Sequence, residues 1–324
     1  MAKKLLKKNF KKVLAFDLGG TKLACAVVNS QGKILEENKI LVDLRQGPRS
    51  LINQFVELGT PLIKKYKLKA GAIASAGPLD PIRGILLNPT NLKTNGASWG
   101  VVPLIREVQK KLKIKLQLEN DAAAAMWAEH WVGSGRGVAN IVIVTLGTGV
   151  GVGVLANKKL VRSGRNLHPE AGHIIIDHQN TDSKNAAWLC GCGNYSCAEA
   201  FLSGVNFTKH LSEKWSEPNL TGEKLVARAR RGEEEVLIEF RNYGKRLASF
   251  LRSLIVLFSP EKVILSGGFS HAADLFLPTC EARLRELLTT RREGVDLLPQ
   301  IKVSQFRDEA GLLGAAYVAL ARAF

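Results

Sequence analysis

No run of 18 apolar residues occurs among the 324 residues of this sequence. The best candidate, Leu247–Phe258, is interrupted by Arg252, which excludes a conventional helical membrane span. The N-terminus lacks the apolar core of a secretory signal, because MAKKLLKKNFKK returns to lysine directly after Leu5-Leu6. Cysteine is scarce and unevenly placed: of five, Cys190, Cys192 and Cys197 fall within eight residues, while Cys25 and Cys280 stand alone. An odd number in a chain of this length is not the framework of a disulfide-stapled secreted domain. A reducing cytoplasm is the expected location, with Cys25 and Cys280 as small core residues. Acids are outnumbered, 29 Asp and Glu against 46 Lys and Arg, for a formal charge of +17. Six of the cations crowd into the first twelve positions and the rest are spread thinly, with no recognition helix among them. That pattern reads as solvated surface and requires neither nucleic acid nor a membrane. The 46% of apolar residues excludes a disordered chain, and the length allows about two domains.

What is present alternates between strands and helices. Val13–Asp17 is a short apolar strand that ends in an acid and a Gly-Gly turn. Leu23–Val28, a turn at Asn29–Gly32 and a strand around Ile34–Val42 continue it as an antiparallel meander. A helix from about Ser50 to Tyr66, a buried strand Gly71–Ser75, a helix Val101–Lys111 and a strand around Ile114–Leu118 then lead to Glu119-Asn120-Asp121. A second cycle follows, with a helix Ala122–Trp131, a strand Ala139–Leu146 ending in Gly147-Thr148-Gly149, and a strand Val150–Ala156. The strand, glycine hairpin, strand unit thus occurs twice, which predicts two related α/β halves facing each other. Residues 157–200 are irregular and rich in Gly, His and Cys, a length that signals function. The remainder reads as mostly helical, broken by one strand, Lys262–Leu265, before Ser266-Gly267-Gly268, and closed by a helix Glu309–Ala323.

Three constellations carry chemistry. Asp17-Leu18-Gly19-Gly20-Thr21-Lys22 and Thr145-Leu146-Gly147-Thr148-Gly149 place turn amides, hydroxyls and one cation where phosphate oxygens can be held. Asp17 suits hydrated Mg²⁺, which keeps several waters and takes few carboxylates. Each loop alone is also an ordinary tight hairpin, and neither has Walker spacing nor opens a helix as a dinucleotide fingerprint does. Glu119-Asn120-Asp121 is either a helix N-cap or, through Asp121, a base for a hydroxyl that attacks a phosphate. Cys190-Gly-Cys192, Cys197 and His173 make a donor set for a closed, structural tetrahedral Zn²⁺. Zinc on one His173 nitrogen would fix the ring and leave the other free to orient a substrate.

The order DLGGTK, GTGVGVG and LSGGFS resembles the actin-like ATPase and sugar kinase superfamily. With His168-Pro169-Glu170-Ala171-Gly172-His173 and the cysteine loop, residues 12–324 are similar to the ROK family of repressors, open reading frames and kinases. The resemblance implies two ribonuclease H-like domains with a cleft between them. Residues 1–120 would form a small lobe completed by the C-terminal helix at about 309–324, and 121–308 a large lobe with the zinc loop. ATP would lie on Asp17, Gly19, Gly20, Thr21, Lys22, Thr145, Gly147, Thr148 and Gly149, with Gly267 and Gly268 against adenosine. Asp121 would be the catalytic base, and Asn120, Glu170, His173 and Glu199 would bind sugar hydroxyls. Gly77 would lie against the sugar together with Asn91 or Asn95, since extra residues separate Asn91 from Trp99 here. The chain departs from the family pattern at Ala123, where Asn is frequent, and at Ser196, where Gly is usual. The implied activity is phosphorylation of the 6-hydroxyl of glucose by Mg-ATP, in a homodimer with structural zinc and without nucleic-acid or membrane partners. N-acetylglucosamine, N-acetylmannosamine and fructose are alternative acceptors, and ADP or polyphosphate alternative donors. A repressor of the family would need a winged helix-turn-helix ahead of the first strand, where about a dozen residues stand. Asp17, Lys22 and Asp121 argue against a silent sugar-binding protein.

Overall fold

The computed structural model describes residues 11–89, 92–164, 167–177, 188–288 and 297–321. Two compact units emerge, one of residues 1–137, 159–169 and 308–324 and the other of 138–158 and 170–307. In the first, β1 (Lys12–Leu18), β2 (Lys22–Asn29) and β3 (Ile34–Leu41) form the antiparallel meander, and α1 (Pro48–Tyr66) crosses to β4 (Ala70–Ser75). After α2 (Leu104–Leu112), β5 (Lys115–Asn120) completes a five-stranded sheet in the order β5-β4-β1-β2-β3, with β5, β4 and β1 parallel. Leu14 and Phe16 of β1 point into the core, where Phe16 meets Phe55 of α1 edge-on at 5.0 Å. Burial of each such ring stabilises the fold by roughly 1.5–3 kcal/mol.

Helix α3 (Asp121–Val132) follows β5 without a break and packs against α9 (Ala310–Ala321). Ala122–Ala125 are buried there, and a Cβ on Gly314 of α9 would fall on the Ala124 carbonyl. Small residues on both helices are what allow that approach, and α3 stays with the first unit. The division between the units accordingly falls at Gly137–Val138, past the end of α3.

The second unit repeats the plan. Four strands of its five-stranded sheet run β7-β6-β8-β9, formed by β6 (Ile141–Leu146), β7 (Val150–Ala156), β8 (Lys262–Ser266) and β9 (Gln300–Val303), with β6 and β7 antiparallel and β6, β8 and β9 parallel. Helices α4 (Ala198–Leu202), α5 (Gly204–Lys214), α6 (Gly222–Arg230), α7 (Glu234–Phe258) and α8 (Ala273–Leu288) complete it. Phe207, Phe240, Tyr243, Phe269 and Phe276 form one aromatic cluster, in which the Tyr243 hydroxyl donates to the Leu202 carbonyl at 2.7 Å.

Two expectations are corrected. The C-terminal region holds a second strand, β9, besides Lys262–Ser266; its residues are half-buried or exposed at a sheet edge, so it lacks the apolar run of a buried strand. Helix α2 begins at Leu104 rather than Val101, because Val101–Val102 pair with Ile85–Leu87 and Pro103 starts the helix. Among the described residues no helix is long and apolar enough to cross a membrane.

Candidate active site

The hairpin from β1 to β2 closes at Leu18 opposite Leu23, with the Gly19 amide donating to the Lys22 carbonyl at 3.0 Å. Gly19, Gly20, Thr21 and Lys22 are exposed at its tip. Asp17, half-buried at the end of β1, lies against the first turn of α9, where a Cβ on Gly311 would collide with both carboxylate oxygens. Burial, then the neighbouring carboxylates of Asp121 and Asp308, push the Asp17 acid up to about 7, against a smaller opposing effect of Lys39. An ionised Asp17 among three further acids and one lysine is what a divalent cation relieves, so the residues present fit Mg²⁺.

Asp121 is the first residue of α3, and the cap is its neighbour: the Asn120 side chain accepts from the Ala123 amide at 3.1 Å. This leaves Asp121 outside the capping role, with one oxygen accepting from the Ala122 amide at 2.8 Å. Burial raises the Asp121 acid, while that amide and the Asn120 side chain act to lower it. Behind the turn, the fully buried Glu119 accepts from the Asn120 amide at 3.0 Å and pairs with Arg162 at 2.5 Å. A buried ion pair of this kind is costly to break and holds its backbone in register. His168 is also buried, its two ring nitrogens without hydrogen-bond partners among the described residues. Burial and the Arg162 charge lower its pKa to about 4, which keeps the ring neutral near pH 7.

In the second unit the loop closes with the Gly147 amide on the Gly149 carbonyl at 3.0 Å, and the Thr145 hydroxyl accepts from the Gly151 amide at 3.0 Å. Val150 is the meeting point of three sequence-predicted segments. Its amide donates to Glu199 at 3.0 Å, and its carbonyl lies where a Cβ on Gly172 would be. A Cβ on Gly149 would come within 2.5 Å of the same Glu199 carboxylate. Gly267, at φ 84°, lies on the backbone of Leu146, while a Cβ on Gly147 or Gly268 would meet open space.

His173, Cys190, Cys192 and Cys197 bring their ligand atoms within 4.8 Å of one another. Cys192 Sγ and Cys197 Sγ are 3.6 Å apart, and Cys190 Sγ and His173 Nδ1 are 3.4 Å apart. Bond lengths of about 2.3 Å to sulfur and 2.0–2.1 Å to nitrogen give tetrahedral edges of roughly 3.5–3.8 Å, so the donor set fits zinc. The left-handed backbone this loop needs is supplied by Gly193 at φ 91° and by Ser196 at φ 62°. Glu199 ties the cluster to the hairpin, since its other oxygen is 3.5 Å from Cys190 Sγ.

Glu170 is exposed just ahead of the short 3₁₀ turn Ala171–His173. Gly77 follows β4 and precedes Pro78 through a cis peptide. Asn95 and Gly96 both have positive φ at the tip of a two-residue hairpin, which by itself accounts for an Asn-Gly pair. Asn91 lies outside the described residues. Sequence reasoning missed Gly311 and the partnership of Arg162 with Glu119. A glycine in the first turn of the last helix and an unexplained acid, Glu119, beside Asn120-Asp121 were the available signals.

The profile of the ROK family matches residues 13–322. The chain is 28% identical over 320 residues to a protein named glucokinase from Thermotoga maritima, covering 95% of this chain and 96% of that protein. It is 30% identical over 309 residues to a protein named N-acetylmannosamine kinase from Haemophilus influenzae, covering 94% of each. Among solved structures, a ROK family glucokinase from Streptomyces griseus in complex with glucose and AMPPNP aligns at a TM-score of 0.81 and 27% identity, over 95% of this chain and 99% of that one.

Proposed function

The chain belongs to the ROK family and has the actin-like ATPase fold of its sugar kinases, and we propose that it transfers the γ-phosphoryl group of ATP to the 6-hydroxyl of glucose. The observation that carries this reading is Asp121, a half-buried carboxylate at a helix start whose capping work is done by Asn120. In the reaction the sugar oxygen forms a bond to the γ-phosphorus, the bond from that phosphorus to the leaving oxygen of ADP breaks, and the hydroxyl proton passes to Asp121. Asn120 and the Glu119–Arg162 pair hold Asp121 in place. The exposed amides and Lys22 of the first hairpin bind phosphate, and the second glycine loop offers donors of the same kind. Mg²⁺ held at Asp17 supplies neutralisation of phosphate charge when bound. In the second unit Glu170, His173 and Glu199 recognise sugar hydroxyls, His173 through the nitrogen that zinc leaves free.

The 30% identity to an N-acetylmannosamine kinase supports a second reading, in which the acceptor is an N-acetylhexosamine. One assay separates the two: ATP-dependent phosphorylation of glucose, mannose, fructose, N-acetylglucosamine and N-acetylmannosamine, compared as kcat/KM. Glucose leading the series upholds the first reading, and an N-acetylated sugar leading it upholds the second. Absence of turnover on every sugar rejects both.

A further inference from the structure

The positive charge of this protein is not used up by a site that needs a few donors. On the first unit it is concentrated in a groove of about 610 Å³, lined by Lys69, Arg83, Arg106, Lys110, Lys113 and Lys115 and by no acid. Ile105 and Ile114 supply the apolar lining. The cations come from separate places: Lys69 precedes β4, Arg83 lies in the turn after Leu79–Asp80, Arg106 and Lys110 are on α2, Lys113 caps it, and Lys115 begins β5. The macrodipole of α2 favours Lys110 and Lys113 at its C-terminal end. It gives no reason for Lys69, Arg83 and Lys115 to converge there.

The backbone fixes the arrangement. The Lys115 amide donates to the Lys69 carbonyl at 3.1 Å, and the Ile105 amide to the Gly84 carbonyl at 3.0 Å. Gly84, at φ 68°, sits so close to Ile105 that a Cβ there would be 2.7 Å from the isoleucine Cβ. The groove is therefore built before any ligand arrives. Arg106 reaches Glu107 at 3.9 Å, while the Lys69, Arg83, Lys110 and Lys113 side chains enter no ion pair among the described residues. Arg228 on the second unit, by contrast, meets both Glu217 and Glu233.

Like charges gathered this closely repel one another, and a ligand bearing several negative charges relieves that repulsion. The groove is shallow and open, with room for a small molecule. No aromatic side chain lines it, so the stacking platform of a single-stranded nucleic-acid site is missing. We propose that this groove binds a small molecule carrying several phosphate groups. A phosphorylated metabolite and a short inorganic polyphosphate share that chemistry. Strands β1, β4 and β5 run parallel, with Asp17 and Asn120 at their C-terminal ends and Lys69 and Lys115 at the opposite end. About 20 Å of strand separates the two ends, so the ligand leaves the catalytic residues uncovered.

Calorimetric titration of the full chain with inositol hexakisphosphate and with tripolyphosphate, at about 0.15 M ionic strength, tests this. Saturable one-to-one binding is expected, weakened at least tenfold by the double variant Lys110→Glu, Lys113→Glu and unchanged by Lys245→Glu on the second unit. All three lysines are exposed, and unaltered melting curves check that the variants fold. Preference for the hexakisphosphate assigns a compact metabolite, and preference for the linear triphosphate assigns polyphosphate. Binding lost on Lys22→Glu but kept in the double variant places the phosphates on the nucleotide loops and overturns the proposal. So does tighter, equally variant-sensitive binding of duplex DNA, which makes the groove a nucleic-acid surface, and so does the absence of binding.

Discussion

The two glycine hairpins are built alike and do opposite things with the residue at the strand end. Aligned by their strands, Asp17 corresponds to Thr145, Leu18 to Leu146 and Gly19 to Gly147, and beside each hairpin's first strand the sheet continues with two parallel strands. At Asp17 the first unit keeps an acid in an acidic neighbourhood, pushed up to about 7 by burial and by Asp121. At Thr145 the second keeps a hydroxyl that bonds its own strand partner, Gly151. The acid of the second unit enters from outside, as Glu199 on the amide of Val150, and carries the cysteine cluster with it. One backbone plan thus carries a partly buried acid in one copy and a hairpin braced by an acid from another segment in the other.

The contrast predicts where substitutions act on chemistry and where on binding. The largest effect belongs to Asp121. Asp121→Asn should lower kcat about 10³-fold, within the usual range for a general base, while sugar affinity measured by titration changes little. Wild-type-like turnover of that variant removes the catalytic role. The second unit should answer differently. Cys190→Ser, or removal of metal by a chelator, should release one zinc per chain and raise the KM for sugar about 10–100-fold, the usual cost of disturbing a ligand's supporting contacts, with a smaller fall in kcat. Equal falls in kcat and kcat/KM would erase the distinction between the two hairpins.

Much of this division is legible in the sequence, for local reasons. The hairpins announce themselves because glycines interrupt apolar runs within a few residues, and the cysteine cluster because three cysteines and two glycines crowd together. What is not legible depends on long-range approach. Gly311 matters only because α9 returns to Asp17 from the far end of the chain, and Glu119 finds Arg162 across a loop with no regular pattern. Strand β9 is hidden for another reason: a short, half-exposed edge strand carries too weak an alternation to stand out. Asn120 shows how two readings of one motif can both hold, since the cap and the acid are adjacent residues.

A third prediction concerns stability against pH. The folded-state pKa of Asp17, about 7, lies above its ordinary value of 3.8, so between those values the folded chain binds more protons than the unfolded one. The contribution of Asp17 to stability is therefore full below about pH 4 and lost as pH rises toward 7. Asp17→Asn removes the ionisation. In metal-free buffer its melting temperature relative to wild type should climb across that window by several degrees, as followed by circular dichroism. A gap constant with pH would mean that Asp17 is solvated and that the acidic neighbourhood does not act on it.

The smallest effect, and the sharpest control on the comparison, comes from the counterpart residue. Thr145→Val deletes the hydroxyl that accepts from the Gly151 amide and fills the same space. Losing one such bond costs about 1 kcal/mol, or roughly 2–4 °C for a unit of this size. Because no ionisable group is removed, that loss should be the same at pH 5 and pH 8, whereas the Asp17→Asn difference grows between them. If Thr145 instead holds phosphate by its side chain, the variant should also raise the KM for ATP several-fold with the sugar KM unchanged. A flat melting shift with unaltered nucleotide kinetics confines Thr145 to bracing the hairpin and leaves phosphate to the amides of the turn.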